Sequence, residues 1–274
     1  MTTARSLNEL QINELTDFAS ELADSAGAAI LPYFRSTLSI DHKPGKGEFD
    51  PVTIADRDAE ARMRDLIVQR YPEHGILGEE HGYTEGSSGL TWVLDPIDGT
   101  KSFISGLPMW GTLIALYDGQ QSVIGVADQP YLQERYIGSA PQSMLRNKSR
   151  TTAIKTRHCS SLSQATLMAT GPDIFTTSQE KQCFDTVADA VRMTRYGGDC
   201  YAYCMLACGF VDVIIESGLA PYDIQALVPV VRHAGGRITN WGGGESLDNG
   251  QVIAVGCESL IDDIVLLLRH ASLD

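Results

Sequence analysis

The segment from Trp92 to Phe103 carries side chains suited to binding a divalent cation. An apolar stretch ends at Asp95, and Pro96 is expected to break the strand at that point. Asp95 and Asp98 are three residues apart across the turn, so both carboxylates can face one point. The carbonyl of Ile97, between them, can supply an uncharged oxygen. Hard cations such as Mg²⁺ prefer this set of oxygen donors.

The residues that follow can bind an anion. Gly99 and Thr100 lie where the turn is expected to enter a helix, and backbone N–H groups at a helix start bind phosphate. A metal and a phosphate would then lie side by side. The alternative is an Asx-capped turn without a ligand, a structure that Asp-Gly pairs often form.

Three further segments place carboxylates at expected junctions between elements. They are Asp50–Asp56 at a loop-to-helix junction, Gly78-Glu79-Glu80 after a short apolar strand, and Asp223 at the start of a helix. Each has a simpler interpretation, because Glu80 can be an exposed charge and Asp50 and Asp223 can cap helices. None of the three segments alone predicts a site.

Taken together, these segments resemble the motifs of the inositol monophosphatase family, whose members are magnesium-dependent, lithium-sensitive phosphomonoesterases. The family's strand followed by D-P-[ILV]-D-G-T is unbroken over Leu94–Thr100, and its D-x-V-T-x-x-D and G-E-E elements are also present. The second family motif, usually W-D-x-A-[AG], appears as Tyr222-Asp-Ile-Gln-Ala226 and keeps the aspartate. The resemblance covers nearly the whole chain.

The resemblance implies a role for each matching residue. Two or three Mg²⁺ ions would share the ligands Glu79, Asp95, the Ile97 carbonyl, Asp98 and Asp223, with Asp95 bridging two ions and a weaker third ion near Glu79 and Asp56. The attacking water would be oriented and deprotonated by Glu79 and Thr100, with Asp56 nearby. The amides of Gly99 and Thr100 would hold the phosphate. Lys43 and Lys46 are expected to be exposed, although they could instead close over the site.

The substrate prediction depends on Arg195, Asp199 and Glu216. The segment from Arg195 to Asp199, together with those at 111–116 and 128–130, resembles the histidinol-phosphatase branch of the family. The resemblance also implies that Glu216 contacts the hydroxyl side of the substrate. Two carboxylates suit a cationic alcohol better than a neutral cyclitol, because a buried anion needs a charged partner. Hydrolysis of L-histidinol phosphate, a step of histidine biosynthesis, is therefore expected. The alternatives are an inositol-1-phosphate or broad sugar-phosphate phosphatase, and a regulatory or RNA-associated protein that keeps the fold. Asp199 could also serve only as a helix N-cap.

Composition limits the partners and the compartment. The chain of 274 residues has a formal net charge of −14, which argues against nucleic acid or an anionic membrane as a partner. The N-terminus does not resemble a signal peptide, and no apolar run reaches membrane-spanning length. Six sparse cysteines favour a cytoplasmic location. Cys200, Cys204 and Cys208 recur every four residues and are expected to be buried thiols rather than a metal or redox centre.

Hydrophobic periodicity predicts two halves in one compact catalytic unit. Residues 1–150 are expected to be α+β and to carry most metal ligands. Residues 151–274 are expected to be α/β and to carry Asp223 and the specificity residues. Helices are predicted over 8–35, 53–69, 179–191, 201–208, 222–234 and 259–268, a loop over 42–50, and strands over 75–77, 91–94, 112–117, 122–128, 135–139, 166–170, 192–196, 211–215, 237–239 and 252–255. The resemblance implies a layered αβαβα sandwich and a homodimer.

Overall fold

The computed structural model describes residues 7–36, 40–42, 51–148 and 150–273. Asp50, Lys43 and Lys46 lie outside the described residues. The helices are α1 (Glu9–Ile30), α2 (Ile54–Arg70), α3 (Thr100–Ile104), α4 (Ser178–Ala190), α5 (Asp199–Ala207), α6 (Pro221–Ile224), α7 (Leu227–Arg232) and α8 (Ile261–Leu268). Short 3₁₀ turns occupy Leu162–Gln164, Pro172–Ile174 and Glu258–Leu260.

The strands form three sheets. They are β1 (Ile40–His42), β2 (Pro51–Thr53), β3 (Gly75–Gly78), β4 (Gly82–Thr84), β5 (Thr91–Asp98), β6 (Gly111–Tyr117), β7 (Ser122–Gln129), β8 (Glu134–Ser139), β9 (Gln142–Asn147), β10 (Arg150–Ala153), β11 (Thr166–Ala169), β12 (Met193–Tyr196), β13 (Val213–Glu216), β14 (Arg237–Thr239) and β15 (Val252–Val255). β1 and β2 form a two-stranded sheet, and a second sheet has the order β10-β9-β8-β7-β6-β5-β3-β4. A third has the order β12-β11-β13-β15-β14.

The predicted layered αβαβα sandwich is confirmed. One core lies between α1, α2 and one face of the eight-stranded sheet, and it includes Trp92 and Leu94. Val93, on the opposite face of the same strand, belongs to a second core with α5, α7 and the five-stranded sheet. The outer face of the five-stranded sheet packs on α4 and α8 in a third core. Alternate residues of a strand thus serve different cores, as the two-residue period of a strand requires.

Local sequence explains where α1 begins and ends. The Asn8 side chain caps the helix by accepting a hydrogen bond from the Gln11 backbone N–H, and the Gln11 side-chain oxygen accepts one from the Asn8 backbone N–H. The predicted helix over 8–35 ends early, at Ile30. Leu31 still has helical backbone angles, but Pro32 after it has no N–H to continue the helical hydrogen bonds.

Two predictions about element boundaries are wrong. Pro96 does not end the strand, because β5 continues to Asp98 with a register shift between Asp95 and Asp98. A proline is tolerated at such an irregularity, where no ladder hydrogen bond is required of it. The single helix predicted over 222–234 is divided into α6 and α7. Pro229 has no N–H to donate to the preceding turn.

The predicted antiparallel sheet of the first half is confirmed for most of its strand pairs, but β3 and β5 run parallel. Polar strands β4, β9 and β10 were not predicted, because their sequences have no apolar alternation. The division at residue 150 stays a prediction, and the last strand of the eight-stranded sheet extends to Ala153. Among the described residues, no helix is long and apolar enough to span a membrane.

Candidate metal and phosphate site

Three carboxylates from two parts of the chain converge at the end of β5. Asp95 and Asp98 lie on β5, and Asp223 lies on the short helix α6, which packs against that strand. One oxygen from each of the three lies within 4.8 Å of the others. The Asp223 carboxylate is held by a 2.7 Å hydrogen bond from the Ala220 backbone. The tertiary structure therefore brings together three of the predicted metal ligands.

The electrostatics of Asp95 fit a bound cation. Its side chain is buried, and Oδ1 has no hydrogen-bond partner among the described residues. Burial raises the pKa of Asp95 well above its usual range, and the charges of Glu79, Asp98, Asp223 and Asp56 raise it further. Buried like charges without a cation are costly. A divalent ion supplies both the missing partner and the opposite charge.

Asp98 connects β5 with α5. Its Oδ2 accepts a 2.8 Å hydrogen bond from the Cys200 backbone at the start of α5. Burial raises the pKa of Asp98 well above its usual range, and Asp223 and Asp199 add to the effect. The hydrogen bond from Cys200 acts in the opposite direction. The orientation of this carboxylate thus depends on a contact with a residue about a hundred positions away in sequence.

The turn after Asp98 is fixed by hydroxyl groups and by a glycine. The Thr100 hydroxyl donates to the Ile97 carbonyl at 3.1 Å, and Thr112 donates to the Pro96 carbonyl at 2.8 Å. Gly99 has a φ of +82° and precedes α3. A Cβ at this position would lie 3.0 Å from that of Asp199. Glycine is required here by backbone conformation and by close approach.

Glu60 organises the turn that carries Glu79, and sequence reasoning missed it. This fully buried carboxylate on α2 accepts hydrogen bonds from the Glu80 and His81 backbones at 2.7 and 3.1 Å. Arg64, one helical turn away, pairs with it at 2.7 Å. Glu79 itself is half-buried and donates its backbone N–H to Leu94 on β5. The only signal in the sequence was the position of Glu60 four residues after Asp56 on the same helix.

A cavity of about 260 Å³ opens beside the carboxylates. It is lined by residues of β5, the Gly99 turn and α3, by residues of α5, α6 and α7, and by β13 and the segments that follow β11 and β13: Asp98, Gly99, Thr100, Lys101, Thr170, Ile174, Asp199, Cys200, Tyr203, Glu216, Ser217, Gly218, Leu219, Asp223 and Leu227. Of the predicted metal ligands, Asp98 and Asp223 line this cavity, together with both predicted phosphate residues and with Asp199 and Glu216. Glu79, Asp95 and Ile97 are not among its lining residues.

Asp199 faces this cavity in an uncommon conformation. Its φ is +43°, a region that residues other than glycine seldom occupy. Its carboxylate accepts a 2.5 Å hydrogen bond from Ser102, a residue of α3 that sequence reasoning missed. Burial raises the pKa of Asp199, although Ser102 and Lys101 act in the opposite direction. Ser102 therefore holds the Asp199 side chain against the turn at Gly99.

Glu216 also lines the cavity, in addition to Asp98, Asp199 and Asp223. It is buried at the end of β13, and Oε1 accepts a 2.7 Å hydrogen bond from the Thr170 backbone. Among the described residues, Oε2 has no hydrogen-bond partner, and the same holds for the buried hydroxyl of Tyr203. Burial raises the pKa of Glu216 to about 8. This wall therefore contains two buried polar atoms whose hydrogen-bonding capacity is unused among the described residues.

The remaining predicted residues lie in different surroundings. Asp56 is buried on α2, and its charge acts on Asp95. Arg195 is exposed on the edge strand β12 and is not among the described residues that line the cavity. Its predicted role in substrate binding stays a prediction. Cys200 and Cys204 are buried free thiols, as expected, and Cys208 is half-buried.

Comparison with known proteins establishes the family. The model of the inositol monophosphatase family matches residues 11–269. The chain belongs to the inositol monophosphatase family. It is therefore a phosphatase of a family that is magnesium-dependent in general, and its three convergent aspartates form a group that could bind a metal.

Individual relatives differ in their stated substrates. The chain is 49% identical over 241 residues to the bifunctional phosphatase IMPL2, chloroplastic, of Arabidopsis thaliana, an alignment that spans 86% of this chain and 68% of the relative. It is 32% identical over 257 residues to a histidinol-phosphatase of Chlorobaculum parvum, with 93% and 97% covered. The structure of an inositol monophosphatase from Zymomonas mobilis matches with a TM-score of 0.84 and 38% identity, covering 97% and 100% of the chains.

Proposed function

We propose that the chain is a Mg²⁺-dependent phosphomonoesterase that hydrolyses L-histidinol phosphate to L-histidinol and phosphate. The observation that carries this proposal is the single cavity in which metal-binding carboxylates adjoin two further carboxylates, Asp199 and Glu216. The first group suits metal-assisted hydrolysis. The second group suits an alcohol that carries positive charge. The similarity to named histidinol-phosphatases supports the same substrate.

The residues of the site have separate tasks in this reaction. Glu79, Asp95, the Ile97 carbonyl, Asp98 and Asp223 would hold Mg²⁺, two or three ions in each site. When bound, Mg²⁺ neutralises the phosphate dianion and makes water a stronger nucleophile. The Gly99 and Thr100 amides hold the phosphate at the start of α3. Thr100 and Glu79, with Asp56 nearby, orient the attacking water and take its proton.

Asp199 and Glu216 select the leaving alcohol. L-Histidinol carries an ammonium group and an imidazole, and each can donate a charge-assisted hydrogen bond to a carboxylate. Asp199 is already oriented by Ser102, and Glu216 has one oxygen without a partner among the described residues. A nearby ammonium also favours the ionised form of Glu216, whose pKa is raised to about 8 by burial.

A second candidate is an inositol-phosphate or broad sugar-phosphate phosphatase. The raised pKa of Glu216 favours it, because a protonated carboxyl can donate a hydrogen bond to a neutral hydroxyl group. The similarity to a solved inositol monophosphatase supports it as well. The two candidates differ in the charge of the alcohol, so they predict different substrate preferences.

A substrate comparison tests the proposal. We expect kcat/KM for L-histidinol phosphate to exceed that for myo-inositol 1-phosphate by about 100-fold with saturating Mg²⁺. A ratio near one would contradict the proposed specificity and favour the second candidate. Chelation with EDTA should abolish turnover of both substrates, and Mg²⁺ should restore it. Activity that survives thorough chelation would overturn the metal-dependent mechanism.

Paired variants test the role of the cavity carboxylates. Asp199→Asn keeps the acceptor for Ser102 but removes the charge, so we expect kcat/KM for L-histidinol phosphate to fall about 10- to 100-fold. Turnover of a neutral sugar phosphate should change less than threefold. Asp173→Asn removes a charge that is exposed and paired with Lys101 at 3.1 Å, and it serves as the control. Equal losses on both substrates in Asp199→Asn would assign the residue a structural role.

Three further expectations stay predictions. We propose that the protein forms a homodimer, which a mass measurement by light scattering would test. We also propose that it acts in the cytoplasm, although the relative from Arabidopsis thaliana is named as chloroplastic. The two halves, 1–150 and 151–274, are proposed to act as one catalytic unit, since the cavity has walls from both.

A further inference from the structure

Cys257 lies in a polar cluster just after β15, at the opposite end of that strand from Glu216. Glu216 pairs with Val252 at one end of β15, whereas Val255 pairs with Val213 at the other end, just before Cys257. The thiol is half-buried, and the neighbouring His158 and Ser259 are exposed. The cluster is therefore open to small molecules from solvent and is separate from the metal and phosphate site.

Two side chains contact the Cys257 sulfur. His158 Nδ1 lies at 3.5 Å and the Ser259 hydroxyl at 3.2 Å. An adjacent imidazole can take the proton of a thiol, and hydrogen-bond donors stabilise the thiolate that remains.

The other charged groups around the cluster are engaged with each other. Arg157 forms a salt bridge with Asp212 through two hydrogen bonds, the shorter of which joins Nη2 and Oδ2 at 2.5 Å. Glu258 pairs with Arg237. His158 is thus the titratable side chain in direct contact with the Cys257 thiol, among those that the structure describes. Cys257, Cys159 and His158 do not converge as a metal site among the described residues.

The six cysteines differ sharply in ionisation. Hydrogen bonding lowers the pKa of Cys257 to about 7, and the Ser259 hydroxyl has the largest effect. The backbones of Cys159 and Ser259 and the His158 side chain lower it further, whereas burial opposes the shift. Burial raises the pKa of the other five cysteines, that of Cys208 to about 11. At neutral pH a thiolate is the reactive form.

We propose that Cys257 is a site of covalent modification, which reacts with peroxides and other small electrophiles through the polar cluster of His158 and Ser259. The thiol gives its proton to His158. The sulfur then attacks one oxygen of hydrogen peroxide, so that an S–O bond forms as the O–O bond breaks. Sulfur is oxidised to a sulfenic acid, peroxide is reduced, and the leaving hydroxide takes the proton from His158 to become water.

Alkylation of the full-length, reduced protein tests the proposal. The protein is exposed to iodoacetamide at pH 7 for increasing times, quenched in acid and analysed by peptide mass spectrometry. We expect Cys257 to be alkylated at least ten times faster than Cys208, which is also half-buried and serves as the internal control. Equal rates at the two cysteines, or faster reaction at any other cysteine, would overturn the proposal.

Variants and a second reagent test the role of the cluster. His158→Ala should slow alkylation of Cys257 at least threefold at pH 7 and leave the rate at pH 9.5 within twofold, because the thiol is ionised there without help. His270→Ala, which removes an exposed imidazole elsewhere, should change neither rate. With hydrogen peroxide and dimedone, the adduct should form on Cys257 and be lost in Cys257→Ser. An unchanged pH profile in His158→Ala, or an adduct on another cysteine, would contradict the assignment.

Discussion

Replacing Glu60 by Gln tests whether a carboxylate beneath the Glu79 turn stabilises the fold and the site. Glu60 accepts hydrogen bonds from two backbone N–H groups, those of Glu80 and His81, and from Arg64. A glutamine amide has one acceptor oxygen, and its NH₂ group would face a backbone N–H. One buried donor is then left unpaired, which costs about 1–3 kcal/mol. Loss of the charge from the remaining bonds adds about 1 kcal/mol.

The expected loss of about 3 kcal/mol is large enough to measure. It corresponds to a decrease in the melting temperature of about 6–12 °C in a chain of this size. Thermal and urea unfolding of the Glu60→Gln protein, each followed by circular dichroism, should give consistent losses. The Mg²⁺ concentration for half-maximal activity should rise as well, because Glu79 would no longer be held in place.

The same helix provides a matched control. Arg62 and Asp58 form a second i,i+4 pair on α2 at 3.0 Å, but these side chains are 52% and 39% exposed. Asp58→Asn should therefore lower stability by less than about 0.5 kcal/mol. Equal unfolding midpoints for Glu60→Gln and Asp58→Asn would refute the reasoning that burial and backbone contacts make Glu60 important.

Three other predictions concern the site itself. Asp95→Asn should raise the melting temperature of the metal-free protein at pH 7, because ionising a buried Asp95 of raised pKa opposes folding. The same substitution should abolish the increase in melting temperature that Mg²⁺ causes. A lower melting temperature without metal would contradict this prediction. As pH falls from 7 to 5, protons should compete with Mg²⁺ for Asp95 and Asp98, because the pKa values of both carboxyl groups are raised. Calorimetric titration should therefore give weaker Mg²⁺ binding at pH 5. Ser102→Ala should raise KM for L-histidinol phosphate about tenfold with a smaller effect on kcat, since Asp199 loses its 2.5 Å hydrogen bond; equal effects on a neutral sugar phosphate would count against a positioning role.

Much of the site could be predicted from short sequence segments. Asp95 and Asp98 are neighbours along the chain, so their carboxylates lie close together on β5. Gly99 likewise meets a local requirement, a positive φ before a helix. The family resemblance added Glu79 and Asp223, which no spacing rule connects with β5.

Other site residues could not be found in this way. Glu60 and Ser102 act through contacts with residues 20 and 97 positions away, and neither has an unusual local sequence. The predicted end of the strand at Pro96 is wrong, and the break between α6 and α7 was not predicted. A register shift in a strand and a break in a helix both depend on the neighbouring elements. Arg195, prominent in its motif, lies on an exposed edge strand.

The sequence by itself determined the types of oxygen donor, the glycine turn before α3, the acidic character of the chain and the hydrophobic periodicity that requires a layered fold. Only the tertiary structure decided which carboxylates share a cavity, which of them are buried with raised pKa values, and which side chains hold them in place. The physical reason is that donor chemistry is a property of single residues. Burial and convergence arise only when strands and helices distant in sequence pack together.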